Sequence, residues 1–206
     1  IGLCLVGSEM CIRDSLKDVQ MGYLQEKFAK KGLMILYTSP WPGQGFYTKS
    51  PVNSVADFKG KKLRIYSTAT QQMGSMLGFN ATILPFAEIP QAFSTGLIEA
   101  LFTSPQTGID IQAWDNTKHF TYAGAIFSKN AVVVSKKAFN ALSKDDQSNI
   151  LAAAKKAELR GWEMSAETTK KQIDILKKNG MSAKNAPDEV ISLSLIHISE
   201  PTRQSP

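Results

Sequence analysis

Between Ser54 and Pro105 the hydrophobic pattern switches repeatedly between extended and helical periods, and each helical stretch is closed by a glycine. Few folds accommodate that layout. Ser54 and Asp57 form a capping-box pattern, predicting a short helical turn that stops at Gly60. From Lys61 to Ser67 the side chains alternate, so Leu63 and Ile65 face a core while Lys62, Arg64 and Tyr66 share the other face. Thr68–Leu77 is a predicted helix ending at Gly78, Ala81–Phe86 a strand, Glu88–Thr95 a helix ending at Gly96, and Ile98–Ser104 a strand. This alternation predicts an α/β protein with a parallel, doubly wound sheet. Arg64 is thereby held on a strand, where it can pair with a neighbouring acid or with an anionic ligand.

The flanking segments extend the pattern. Residues 16–31 place Val19, Tyr23, Leu24 and Phe28 on one helical face, closed by Gly32, and Gly32–Ser39 reads as a mostly buried strand. Pro40–Val52 is rich in Pro and Gly and is expected to be a loop. Its aromatic residues Trp41, Phe46 and Tyr47 must pack over something, either a ligand or the body of the domain.

At the end of strand 98–104, Pro105 suits the first helical position with Ser104 as its cap. Ligands of open α/β sheets bind beyond the carboxyl ends of strands, which makes Thr103, Ser104, Gln106 and Thr107 candidate hydrogen-bond donors. Ile109–Thr117 is expected to continue that helix, with Trp114 facing the cleft or the core. His119 opens a strand; Cys4, Cys11 and His197 all lie in the end segments set aside below, so no cysteine and no second histidine is left to share a metal and His119 reads as structural.

Ala131–Ser135 reads as a buried strand, followed by a short helix through Leu142. Ser143 with Asp146 caps a long helix to Asn179, roughly 50 Å by its residue count. Met181–Asn185 is expected to be a strand, and Pro187-Asp188-Glu189 to open a last helix.

The two ends differ from the rest. Leu5–Ser15 and Leu193–Arg203 resemble two translations of one sequencing-library transposase adapter. A DNA encoding the second, reverse-complemented and read one base out of frame, encodes the first. Residues 1–15 and 193–206 are therefore set aside, and the intervening part is expected to be a fragment that lacks its amino-terminal portion. Both cysteines, Cys4 and Cys11, fall in the excluded ends. Without Arg13 and Arg203 the 24 basic residues fall to 22, and without Glu9, Asp14 and Glu200 the 18 acids fall to 15, a balance of +7. Lack of cysteine fits an exported bacterial protein. The lysines are spread along helices with no aromatic-interleaved patch, so no nucleic-acid partner is indicated. No apolar run of about 18 residues is present to span a membrane.

Asp57, Gly60, Lys62 and Arg64 resemble the D-x-x-G-x-K-x-R signature of the DctP-type substrate-binding proteins of TRAP transporters. Leu77–Ala100 is similar to that family's G-x-x-x-x-x-x-P-x-x-E segment, with Glu99-Ala100 in place of its usual Asp-Gly, and Leu142–Trp162 resembles the opening of its long helix. The resemblance implies a periplasmic-binding-protein-like fold: two lobes with mixed or parallel sheets, hinge strands and a spanning helix. It places residues 16–62 in the first lobe and binding loop, 63–128 in the second lobe, and 129–192 back in the first.

It also implies that Arg64 forms a salt bridge to the carboxylate of a small organic acid. A second basic residue, frequent in the family, falls near Gln44 here, and this neutral side chain argues against a dicarboxylate. Trp41, Phe46, Tyr66, Thr103, Ser104, Gln106 and Trp114 complete the expected ligand-binding set, with no metal and no cofactor. The implied function is capture of the acid in the periplasm and delivery to small and large TRAP membrane subunits. A receptor feeding a sensor kinase is an alternative. An enzyme is a weaker one, since G-x-S-x-G, a phosphate loop, G-x-G-x-x-G and a metal cluster are all missing.

Overall fold

The computed structural model describes residues 20–124 and 126–199. These fall into two compact units: residues up to 39 with 129–162, and residues 40–128 with those from 163 onward.

The second unit is built on a six-stranded sheet, in the order β4-β3-β5-β2-β6-β8. Its strands are β2 (Gly45–Thr48), β3 (Lys62–Ile65), β4 (Asn80–Ile83), β5 (Ala100–Thr103), β6 (His119–Tyr122) and β8 (Ser182–Asn185). The pairs β3–β4, β3–β5 and β6–β8 are parallel, whereas β2 runs antiparallel to both β5 and β6. Five strands thus share one direction and β2 alone is reversed.

That reversal makes the sheet mixed, as the family resemblance allows though the strand–helix alternation alone pointed to a parallel one, and it corrects a second expectation, since Pro40–Val52 contains a central strand where a loop is expected. The glycine at its start permits the close pairing: a Cβ on Gly45 would lie 2.5 Å from the Thr121 carbonyl and 2.8 Å from the Phe120 ring. The Pro and Gly flanks conceal from local pattern a segment that only tertiary pairing orders.

Helices cover both faces. On one face Phe46, Leu63, Ile65, Ala100 and Phe102 form a core with Phe58, Phe79, Met73 of α2 (Thr68–Met76) and Val190 of α7 (Asp188–Ser199). On the other, Tyr47, Leu101 and Phe120 pack with Ile89 and Phe93 of α3 (Ile89–Ser94) and with Leu176. Leu176 lies near the end of α6 (Lys144–Lys178). The short helix α4 (Pro105–Asp110) follows β5, capped by Ser104 Oγ accepting from Thr107 N. It does not continue to Thr117 as expected. Gln112 adopts a left-handed conformation (φ 49°) and a separate 3-10 turn follows over Ala113–Asp115.

The first unit contains a helix α1 over residues 20–29, β1 (Leu33–Pro40), β7 (Lys129–Ser135), α5 (Lys136–Asn140) and the first half of α6. β1 and β7 form a two-stranded sheet. The Gln25 carboxamide brackets Ile35, donating to its carbonyl (2.7 Å) and accepting from its N–H (3.2 Å). Thr38 donates through N and Oγ1 to Glu158 Oε1 (3.0 and 2.8 Å). β7, expected to be buried, is half-exposed, with Val133 40 % accessible, because only one strand pairs with it among the described residues.

The helix α6 is 35 residues long, about 52 Å, and belongs to both units. Its start is fixed as expected, Asp146 N donating to Ser143 Oγ (3.1 Å) and Ser143 Oγ to Asp146 (2.7 Å).

The division between units differs from the expected lobes, since residues 40–62 and those from 163 onward group with the six-stranded sheet. β2 lies inside that sheet, β8 pairs with β6, and α7 packs on α2's core, which explains the difference. Of the segments set aside, 5–15 lie outside the described residues. At the other end α7 runs through to Ser199, with Leu193 packed on the first core and Ser194 fully buried. No helix among the described residues is long and apolar enough to cross a membrane.

Candidate functional site

The carboxyl ends of β3, β5 and β6 meet the amino end of β2 on one side of the six-stranded sheet, as their registers require. The turn before β3 is held by Asp57, whose carboxylate accepts from Asn53 N (2.7 Å) and Ser54 N (2.9 Å). Those two hydrogen bonds hold the Asp57 carboxyl below its ordinary pKa. From this anchored start β3 sends Leu63 and Ile65 into the first core as its sequence predicts, but Tyr66, expected on the face of Arg64, packs against that same core because the strand ends at Ile65.

Arg64 opposes Leu101 of β5 in register. It is 4 % exposed, and its Nε donates to the Leu84 carbonyl at 3.1 Å. Among the described residues no carboxylate pairs with it and no protein acceptor meets its Nη groups. Burial lowers its pKa, with the neighbouring Tyr66 opposing, yet the side chain stays cationic at any physiological pH. A buried charge left unmatched by its own protein is costly, and the usual compensation is a ligand of opposite sign.

Tyr66 joins Arg64 to the rest of the site. The guanidinium carbon lies 5.9 Å from the centroid of its ring, and its hydroxyl donates to Gln44 Oε1 at 2.8 Å. Gln44, 2 % exposed, donates from Nε2 to Ser128 Oγ at 3.0 Å. Burial raises the Tyr66 phenol's pKa; its hydrogen bonds with Gln44 and Ser128 and the charge on Arg64 work in the opposite direction. The backbone secures the same corner: Gln44 N donates to Ile126 O (3.2 Å), and Trp41 N to Ser128 O (2.8 Å). Gly43 lies so close to the Tyr122 hydroxyl and the Phe127 ring that a Cβ there would overlap both.

The structure thus brings Arg64, Tyr66 and Gln44 together, with half-buried Trp41 joined to the same corner through Ser128. Thr103 and Ser104 are buried at the end of β5. Ser104 is occupied in capping α4, and its carbonyl accepts from the Tyr47 hydroxyl (3.2 Å). Gln106 is engaged within the protein, donating to Asp110 (2.7 Å) and accepting from Gln172 (3.0 Å).

Two aromatic residues of the expected set lie against the cores. Phe46 is fully buried in the first core, its ring 4.8 Å from those of Phe58 and Phe102, because it lies on a central strand with its side chain on the apolar face. Trp114 is partly buried against the second core, carried there by the separate turn that follows Gln112. Ser128 is the partner that sequence reasoning missed. A serine in FSKN carries no signal of its own, since it is defined by what folding brings beside it. Among the described residues no group of three or more acidic, histidine or cysteine side chains could hold a metal.

Known proteins share this architecture. DctP7 of Bordetella pertussis, an extracytoplasmic solute receptor that binds pyroglutamic acid, is 38 % identical with a TM-score of 0.87, over 91 % of this chain and 62 % of its own. A marine metagenome TRAP solute-binding protein specific for pyroglutamate is 33 % identical with a TM-score of 0.83, over 88 % of this chain and 61 % of its own. A solute-binding protein of Chromohalobacter salexigens is 26 % identical over 172 residues, 78 % of this chain and 50 % of its own. The chain spans about half the length of the curated relatives it matches. The family model for bacterial extracellular solute-binding protein, family 7 (DctP), matches residues 12–193. With the α/β fold and the signature from Asp57 to Arg64 both in place, the chain belongs to the DctP family of solute-binding receptors.

Proposed function

We propose that this chain carries the anion-gripping part of a periplasmic receptor that captures a small monocarboxylate and hands it to the small and large membrane subunits of a TRAP transporter, without transforming it. The observation that carries this reading is Arg64, nearly buried at the end of β3 and without a carboxylate partner among the described residues. A guanidinium presents a fixed fork that matches a carboxylate bidentately, which a lysine ammonium cannot reproduce. The second position of the site is the neutral Gln44, joined to neutral Tyr66 and Ser128, so one negative charge on the ligand is matched and a second is not.

Pyroglutamate is the first ligand to test. It has a single carboxylate and an uncharged lactam, and two relatives at 38 and 35 % identity bind it.

Calorimetric titration of the full-length protein is expected to show pyroglutamate binding without turnover, the ligand being recovered unchanged. Arg64→Ala is expected to weaken it by about 10- to 150-fold, the worth of one charge-assisted hydrogen bond of roughly 1.5–3 kcal/mol. Arg64→Lys is expected to weaken it as well. An unchanged dissociation constant in both variants would remove Arg64 from the site.

A further inference from the structure

We propose that Ser128 is a positioning residue: it holds the Gln44 carboxamide so that the receptor reads a neutral amide or lactam on its ligand, separately from the carboxylate read by Arg64. This rests on the carboxylate-receptor reading above. A carboxamide has two N–H donors and two acceptor lone pairs. In the structure Ser128 Oγ takes one N–H of Gln44 Nε2 (3.0 Å), and the Tyr66 hydroxyl takes one lone pair of Oε1 (2.8 Å). One donor and one acceptor remain on a side chain that is 2 % exposed and otherwise immobilised.

A carboxylate offers acceptors only and is the natural partner of Arg64. A secondary amide offers one N–H and one C=O, which is the complement of what Gln44 has left. A ligand ammonium gains nothing here, because no carboxylate pairs with Arg64 among the described residues and the network around Gln44 is uncharged.

Ser128 is the member that determines which way the amide lies. Its hydroxyl accepts from Gln44 Nε2 and favours the ionised form of the Tyr66 phenol, and its carbonyl accepts from Trp41 N (2.8 Å), so its own place is secured by backbone. Without it, the carboxamide loses the contact that distinguishes its nitrogen end from its oxygen end and can turn over. The Arg64 anchor, fixed independently by Leu84, would be untouched.

The test compares two probes on the full-length protein by calorimetry. Pyroglutamate carries the carboxylate and the lactam; cyclopentanecarboxylate carries the carboxylate on a ring of the same size with no amide. Ser128→Ala is expected to weaken pyroglutamate by roughly 3- to 10-fold, one hydrogen bond's worth, and to leave cyclopentanecarboxylate within about twofold. Ser128→Thr, which keeps the hydroxyl, is expected to restore pyroglutamate binding. Equal weakening of both probes, or of neither, overturns the proposal.

A second measurement needs no ligand. The ring carbon signal of Tyr66, followed through its alkaline titration, is expected to shift upward in Ser128→Ala because a bond that favours the phenolate is lost. An unmoved titration overturns the network itself. If neither probe binds the unmodified protein while that titration still moves, the network stands and the carboxylate reading is what has failed.

Discussion

β2 and β3 are both four-residue strands of one sheet, separated by β5, and they put polar atoms to opposite uses. Every residue of β2 is buried, with Phe46 in one core and Tyr47 in the other, and the hydroxyl of Tyr47 is satisfied inside the fold by the Ser104 carbonyl. β3 sends Leu63 and Ile65 into the first core as well, but on its other face it buries a charge that nothing in the described protein neutralises. Arg64 lies in the same cross-strand row as Leu101 and Tyr47, where an apolar residue would pack. A strand whose polar groups are all matched internally serves the fold. One that keeps a cation unmatched at the end of a sheet serves binding at the fold's expense, on the function proposed above.

The contrast is broken most sharply at Phe46. Truncation to Ala removes a ring that contacts Phe58, Phe79 and Phe102 at centroid distances of 4.8, 5.7 and 4.8 Å. The expected loss is about 3–5 kcal/mol of unfolding free energy, the range for a fully buried aromatic residue, measured by denaturant unfolding. Pyroglutamate affinity of the fraction that remains folded is expected to change by less than the Arg64 variants change it. A large affinity loss with little loss of stability would return Phe46 to the binding site and erase the distinction between the strands.

The same two strands show what a sequence of this kind reveals by itself. β3 was legible because three local signals agree: a capping box, a closing glycine and strict alternation around Arg64. β2 was not, since GFYT is short and flanked by Pro and Gly, and its order comes from partners 54 or more residues away on β5 and β6. A helix across Ile109–Thr117 failed for a similar reason. Its hydrophobic spacing is helical, but the left-handed turn at Gln112 breaks it and sets Trp114 against the second core. Ser128 was invisible because its role is a contact with Gln44, 84 residues distant in sequence. Arg64 was readable as a residue type on a strand; the uncharged network beside it became visible only in three dimensions.

A smaller effect, opposite in sign, follows at Arg64 if its charge serves binding and not the fold. Arg64→Met keeps most of the side-chain volume and removes the desolvated cation. The Leu84 carbonyl loses its donor, which subtracts from the gain. Stability of the ligand-free protein is expected to rise by roughly 1 kcal/mol while carboxylate binding is lost, the usual trade between a strained site and a stable fold. Thermal denaturation with and without pyroglutamate checks both halves. A variant less stable than the original would show that Arg64 supports the fold in the manner of Tyr47.

The smallest effect sharpens the comparison at the joint between the strands. Asp57 closes the turn that precedes β3, and Phe58 of that turn packs against Phe46 of β2 with the rings tilted (4.8 Å). Because the folded state holds the Asp57 carboxyl below its ordinary value of 3.8, through hydrogen bonds from Asn53 and Ser54, its contribution is present above that value and is lost as pH falls through the folded one. Asp57→Asn is therefore expected to lower the melting temperature slightly at pH 7 and to leave the two proteins indistinguishable once the medium is acid enough to protonate the folded carboxyl. Both N–H groups donate to one and the same carboxylate oxygen, so the Asn carbonyl oxygen in that place can still accept them, the turn persists and ligand affinity is expected to hold. A difference in melting temperature that stayed constant across that pH range would assign the effect to packing around Phe58, making the turn an extension of β2's core instead of the electrostatic anchor of β3.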